Sequence, residues 1–166
     1  MIGINFYTLI SALIKGYTFM APALFANASA VIFKGIYPID FGKKFIDSEP
    51  IFGKNKTIGG FIGGGTTGFL IGVLINRSIM LSMALSFGAL IGDLIGAFIK
   101  RRMKIKPGQP FPLLDQYDFV FGALMFSYPI SHLDVYTTIA FIFTVPLIHL
   151  FTNVVGYILK VKRVPW

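Results

Sequence analysis

Hydrophobic positions along this chain gather into five long blocks, not into a core with a polar coat. The blocks run from about Ile4 to Phe33, Ile58 to Ile75, Ile79 to Ile99, Leu114 to Ser131 and Tyr136 to Leu159. A membrane-spanning helix needs about 20 mainly apolar residues. The pattern therefore predicts an all-α integral membrane protein with five transmembrane helices, organised as one domain over residues 1–166. The first block, interrupted by Lys15 and Pro22, is long enough to tilt or bend, and it is too long for a secretory signal. Pro146 predicts a kink in the fifth. Residues 34–57 and 100–113 are left as polar loops.

Charge placement orients these helices. Lys34, Lys43, Lys44, Lys54 and Lys56 fill the first loop, and Lys100, Arg101, Arg102, Lys104 and Lys106 fill the second. Lys160, Lys162 and Arg163 follow the fifth block, whereas the other side carries only Arg77 and Asp134 near its turns. The positive-inside rule puts both long loops and the C-terminus in the cytoplasm, and five spans then leave the N-terminus outside. Composition agrees: 55% of residues are hydrophobic, only 13% are charged, and mean hydropathy is +0.74. The net charge of +8 is explained by topology and anionic lipid head groups, without nucleic acid. The absence of cysteine excludes thiol catalysis and Cys-ligated zinc.

Glycine spacing predicts how the helices meet. Gly60, Gly64, Gly68 and Gly72 recur every four residues, as do Gly88, Gly92 and Gly96. Small residues at this spacing let helix backbones approach closely in lipid. Gly59 and Gly60, beside Lys56 and Thr57, have a second reading, in which their N–H groups reach a phosphate. Such faces serve packing within one chain or between copies, so an oligomer is possible.

The chemistry concentrates between Gly92 and Asp118. Asp93 is a carboxylate at membrane depth, which is costly and points to function. It precedes Lys100 by two helical turns, so it sits about 10 Å below the polar edge on the same face. The alternative is a structural Asp paired with a buried lysine such as Lys15. Asp115 and Asp118, at i and i+3, share one face at the start of the fourth helix. They are either metal ligands or acids that suit a helix N-terminus. Together with Asp93 they are candidate Mg²⁺ ligands in a polar cavity open to the cytoplasm. In the first loop, Asn55, Lys56 and Thr57 gather charge and N–H groups near a helix start, which attracts phosphate. Phe41 and Phe52 are candidates either for stacking on a base or for anchoring at the interface. His132 and His149 lie far apart and read as structural. No GxSxG, HExxH or P-loop pattern is present.

These residues resemble the CTP-dependent cytidylyltransferases that make CDP-activated lipids. The resemblance rests on Gly92-Asp93, Lys100-Arg101 seven residues after that Asp, Lys106, the turn from Pro107 to Pro112, and Asp115-x-x-Asp118. Lys56-Thr57-x-x-Gly60 is similar to an upstream segment of the same enzymes. Gln109-Pro110-Phe111-Pro112 stands where the bacterial pattern has His-Gly-Gly, Gln116 stands where an Arg is common, and Ile91 replaces a Ser. Those departures, with Pro38–Phe45 and Phe52–Thr57, look like the archaeal branch, the CDP-archaeol synthases. The resemblance implies CTP as cosubstrate, Mg²⁺ as cofactor and an isoprenoid ether-lipid phosphate as acceptor. It assigns Asp93, Asp115 and Asp118 to the metal, Lys100 to catalysis, and Asn55, Lys56, Thr57, Lys100, Arg101 and Lys106 to CTP phosphates. A cell-membrane enzyme with its active site facing the cytoplasm is the expectation. A transporter or channel subunit using the intramembrane Asp, a scaffold subunit, and a CDP-diacylglycerol synthase acting on phosphatidic acid are the alternatives. A CDP-alcohol phosphotransferase is excluded, because its longer acidic motif is absent.

Overall fold

The computed structural model describes residues 5–161. The expected start at Ile4, and Lys162 and Arg163, lie outside those residues. Five helices form: α1 (Phe6–Ser29), α2 (Ile58–Leu74), α3 (Ile79–Arg102), α4 (Leu114–Ser127) and α5 (Val135–Ile158). Side-chain caps start four of them, with Asn5, Thr57, Ser78 and Asp134 each accepting a backbone N–H three residues on. Helix α4 has no such cap; its preceding Leu113 takes a left-handed φ of 68°. The first helix stops at Ser29, four residues short of the expected Phe33, and the chain turns there. Helix α5 runs without a break through Pro146.

Helices α1, α3 and α5 are long and apolar enough to cross a membrane, and α2 is a shorter apolar helix. Helix α4 has 14 residues, or about 21 Å at 1.5 Å per residue. That falls short of the roughly 30 Å hydrocarbon core, so the fourth block, expected as a span to Ser131, is a shorter element. The C-terminus of α1, the N-terminus of α2, the C-terminus of α3 and the N-terminus of α4 lie at one end, with both long loops.

The glycine ladders are the packing device. A Cβ on Gly60 would lie 2.8 Å from the Ala30 carbonyl oxygen, one on Gly64 2.7 Å from that of Ala26, and one on Gly68 against that of Pro22. Steps of four on α2 thus match steps of four on α1. Helix α3 does the same with α4, where Gly88 and Gly92 face Gly122 and Gly96 faces Asp118. Between these seams sits a core of Phe19, Met20, Leu85, Val120, Phe141 and Val145. Packing also accounts for Gly59, whose Cβ would meet the Phe33 carbonyl at 2.7 Å. The tight α3–α4 seam is what brings acids from two helices to one end of the molecule.

Candidate active site

Lys56, one residue before the α2 cap, reaches α3 and holds both carboxylate oxygens of Asp93 at 2.6 Å. The pair is half-buried. Burial disfavours the ammonium, but the charges of Asp93 first, then Asp118 and Asp115, outweigh it and raise Lys56 above the ordinary lysine range. Lys56 contacts Asp93 alone, while the charges of Asp118 and Asp115 act on it from farther off. The alternative partner for Asp93 is overturned: Lys15 pairs instead with Asp134, at the far end of α1.

The remaining acids are held differently. Asp115 receives Lys100 at 2.8 and 2.9 Å, and its Oδ2 also accepts the Phe111 N–H at 2.8 Å. Lys100, 8% exposed, donates to the Gln109 carbonyl oxygen at 2.6 Å as well. The second loop is thus tied to α3 and α4 through one lysine–carboxylate pair. Asp118 packs over Gly96, where any side chain would collide with its carboxyl group. Its Oδ1 accepts the N–H of Phe119 at 2.6 Å. Helix periodicity placed Asp115 and Asp118 on one face, but each meets a different part of α3.

Arg101 is 4% exposed, and its Nε and Nη1, like those of Arg102, have no hydrogen-bond partner among the described residues. Buried guanidinium donors left unpaired are costly and suit an incoming anion. Its side chain passes Gly53, whose φ of 95° needs glycine and whose Cα faces Pro107 of the second loop. Asn55 lies across from Gly108 and accepts Lys34 Nζ at 3.0 Å. The two loops therefore close on each other around Arg101. Lys106 is exposed, and its backbone alone is engaged, its N–H donating to Gln109 Oε1 and its carbonyl oxygen accepting the Gln109 N–H. Thr57 Oγ1 accepts the N–H groups of Gly35 and Gly60, both at 3.2 Å, so its oxygen serves as a helix cap and only its O–H is left for a ligand.

Two structural residues escaped the sequence reading. Asp40, 5% exposed, accepts N–H groups from Gly42, Phe52 and Gly53 at 3.0, 2.9 and 2.8 Å. Its burial would raise its pKa, but those hydrogen bonds prevail and lower it below the ordinary carboxylate value. The Asp-Phe-Gly run at Asp40 was a readable turn signal. Arg102 lies between the rings of Phe45 and Phe98, 4.9 and 4.6 Å from their centroids, and pairs with Asp47 at 2.6 Å. Only Phe98, one turn earlier on the same helix, was visible as its neighbour in the sequence. The histidines are placed by packing: His149 stacks on Phe119 and meets Asn153 at 3.3 Å, and His132 faces Tyr128.

Carboxylate oxygens are the donors a hard divalent cation takes. Among the described residues no three Asp, Glu or His side chains are gathered into a ready cage. The donor type nevertheless fits Mg²⁺. A cleft of about 500 Å³, lined by Asn5, Lys15 and Tyr136, lies at the opposite end of the bundle, away from this chemistry.

The family model described as CarS-like: CDP-archaeol synthase matches residues 6–166. A CDP-archaeol synthase of Pyrococcus furiosus is 43% identical over 164 residues, covering 93% of this chain and 98% of that protein. One from Thermofilum pendens is 42% identical over 164 residues, covering 92% and 80%. A solved structure of an intramembrane enzyme for archaeal membrane lipids biosynthesis superposes with a TM-score of 0.80 at 36% identity. It covers 85% of this chain and 94% of that one.

Proposed function

The chain belongs to the CarS-like family of CDP-archaeol synthases, and from that premise we propose that its acid–lysine cluster is where CMP passes from CTP to the lipid phosphate. Its function is CDP-archaeol formation in membrane lipid biosynthesis, and the transporter and scaffold readings fall away with family membership. The observation that carries the site assignment is the pair of bridges Lys56–Asp93 and Lys100–Asp115 at one end of the bundle, with Asp118 packed over Gly96 of the same helix and Arg101 buried beside Lys100.

The reaction has simple electrostatic demands. An oxygen of the ether-lipid phosphate attacks the α-phosphorus of CTP, the bond to the β-phosphate breaks, and pyrophosphate leaves. The acceptor is already an anion, so no side-chain nucleophile is required. What the protein supplies is positioning and charge. Arg101 and Lys56 bind phosphate oxygens from either side of the loop junction. Lys100, fixed by Asp115 and Gln109, holds the second loop in place and adds its charge to the same end. Asn55 and the Thr57 hydroxyl donate to the nucleotide, with Lys106 at the rim. Asp93, Asp115 and Asp118 would hold Mg²⁺, which when bound offsets the triphosphate charge.

The basic loops put this end of the bundle in the cytoplasm, where CTP is available. The lipid enters laterally from the bilayer. The test is product formation by purified protein with radiolabelled CTP, with and without Mg²⁺, offering a geranylgeranyl-ether glycerol phosphate or a diacyl phosphatidic acid. Mg²⁺-dependent CDP-lipid from the ether substrate is expected. Equal product without the metal would remove Mg²⁺ from the account, and preference for phosphatidic acid would overturn the acceptor.

A further inference from the structure

The first loop carries a feature that nucleotide chemistry does not use. Residues 43–51 form a tight hairpin, closed by an antiparallel bridge between Lys44 and Pro50 and by hydrogen bonds from Phe45 N–H to the Glu49 oxygen and from Ile51 N–H to the Lys43 oxygen. Its turn runs from Phe45 to Ser48, with the Ser48 N–H on the Phe45 oxygen at 3.0 Å. Turn tips in water favour Gly, Pro, Asn, Asp and Ser. Here Ile46 occupies the tip and is 93% exposed.

The hairpin cannot swing freely. Phe45 meets Phe98 of α3 edge-on at 5.2 Å, and Arg102 fills the space between both rings while donating to the Pro50 oxygen at 2.7 Å. Phe98 lies four residues before Arg102, about 6 Å deeper along the helix. The hairpin therefore lies along the flank of α3 where that span leaves the bilayer, on a helix that also exposes Ile95 and Ile99. Asp47 is neutralised by Arg102. Exposed Lys43 and Lys44 flank the tip, with Glu49 as the remaining acid.

We propose that this hairpin is an interfacial anchor: Ile46 enters the head-group boundary of an anionic bilayer, and Lys43 and Lys44 meet its lipid phosphates. An apolar tip beside basic residues is the pattern that binds such surfaces. Anchoring would hold the Asp40-braced segment that ends in Asn55 and Lys56 at head-group depth, where a lipid phosphate is presented. The inference rests on membrane embedding alone and is separable from the assigned reaction.

Trp166 is the only tryptophan, so Ile46→Trp in a Trp166→Phe chain gives one reporter at a position that packs on nothing. The full chain is reconstituted in phosphatidylcholine–phosphatidylglycerol vesicles, with or without bromine near the ester end of the chains. Blue-shifted emission quenched about twofold or more by the brominated lipid is expected for a residue in the boundary. Water-like, unquenched emission in both vesicles overturns the proposal. Omitting phosphatidylglycerol, or adding Lys43→Gln with Lys44→Gln, should lower the quenching; quenching unchanged by both overturns the anionic partner.

Discussion

Two Lys–Asp pairs at opposite ends of the bundle have the same 2.6 Å separation and different work to do. Lys15–Asp134 is at least half exposed, and Asp134 also caps α5 by accepting the Thr137 N–H. Its charges balance and its hydrogen bonds are filled. Lys56–Asp93 is half-buried, its neighbour Asp115 is paired with Lys100, and Asp118 is left, among the described residues, with the Phe119 N–H and no basic partner in contact. Pair length therefore says nothing about function. A buried carboxylate without a basic partner at the edge of an apolar core does, because burying it is costly and such residues mark functional sites.

The largest effect expected on that contrast comes from Asp118→Asn. It keeps the shape over Gly96 and removes a charge, so turnover should fall by about 100-fold or more while the protein stays folded. CDP-lipid formation beside a thermal melt checks both. Next is Gly96→Ala, whose Cβ would collide with the Asp118 carboxyl group. Forcing that seam apart costs about 1–3 kcal/mol, and activity should drop with it.

Acid separates the ends more gently. The pKa of Asp134 is lowered by Lys15 first and by its cap hydrogen bonds, and that of Asp40 is lowered against its own burial. Both folded values lie below the unfolded one, so their stabilisation is intact above about pH 4 and is lost as pH falls through the depressed values. Acid unfolding followed by circular dichroism should therefore begin earlier in Asp40→Asn, already deprived of that contribution at neutral pH. The smallest effect is expected from Lys15→Gln, an exposed pair: turnover should stay within about twofold of the parent, with a slightly lower melting temperature.

Much of this contrast was legible before any coordinates. Four-residue glycine spacing gave both helix seams, and Asp93, Asp115 and Asp118 declared themselves by standing in or beside apolar runs. Pairing was not legible, since helix phase relates Asp93 to Lys100 on one helix, but it cannot say that Lys56, 37 residues earlier, arrives first. Arg101 and Arg102 are adjacent and chemically identical, and both keep buried donors without a hydrogen-bond partner among the described residues, yet only Arg102 packs over two rings and pairs with a carboxylate. Their division of labour comes from Phe45, Asp47 and Pro50, which only the folded loop brings near. The length of α4 was misjudged because its apolar character continues past Ser127, while its hydrogen-bonded helix does not.

The most direct test compares Asp93→Asn with Asp134→Asn, one substitution in each pair, measuring Mg²⁺-dependent CDP-lipid formation at matched amounts of folded protein. The account predicts loss of turnover in the first and near-parent turnover in the second. Near-parent turnover in Asp93→Asn would contradict it, because the half-buried Lys56–Asp93 pair would then serve no reaction.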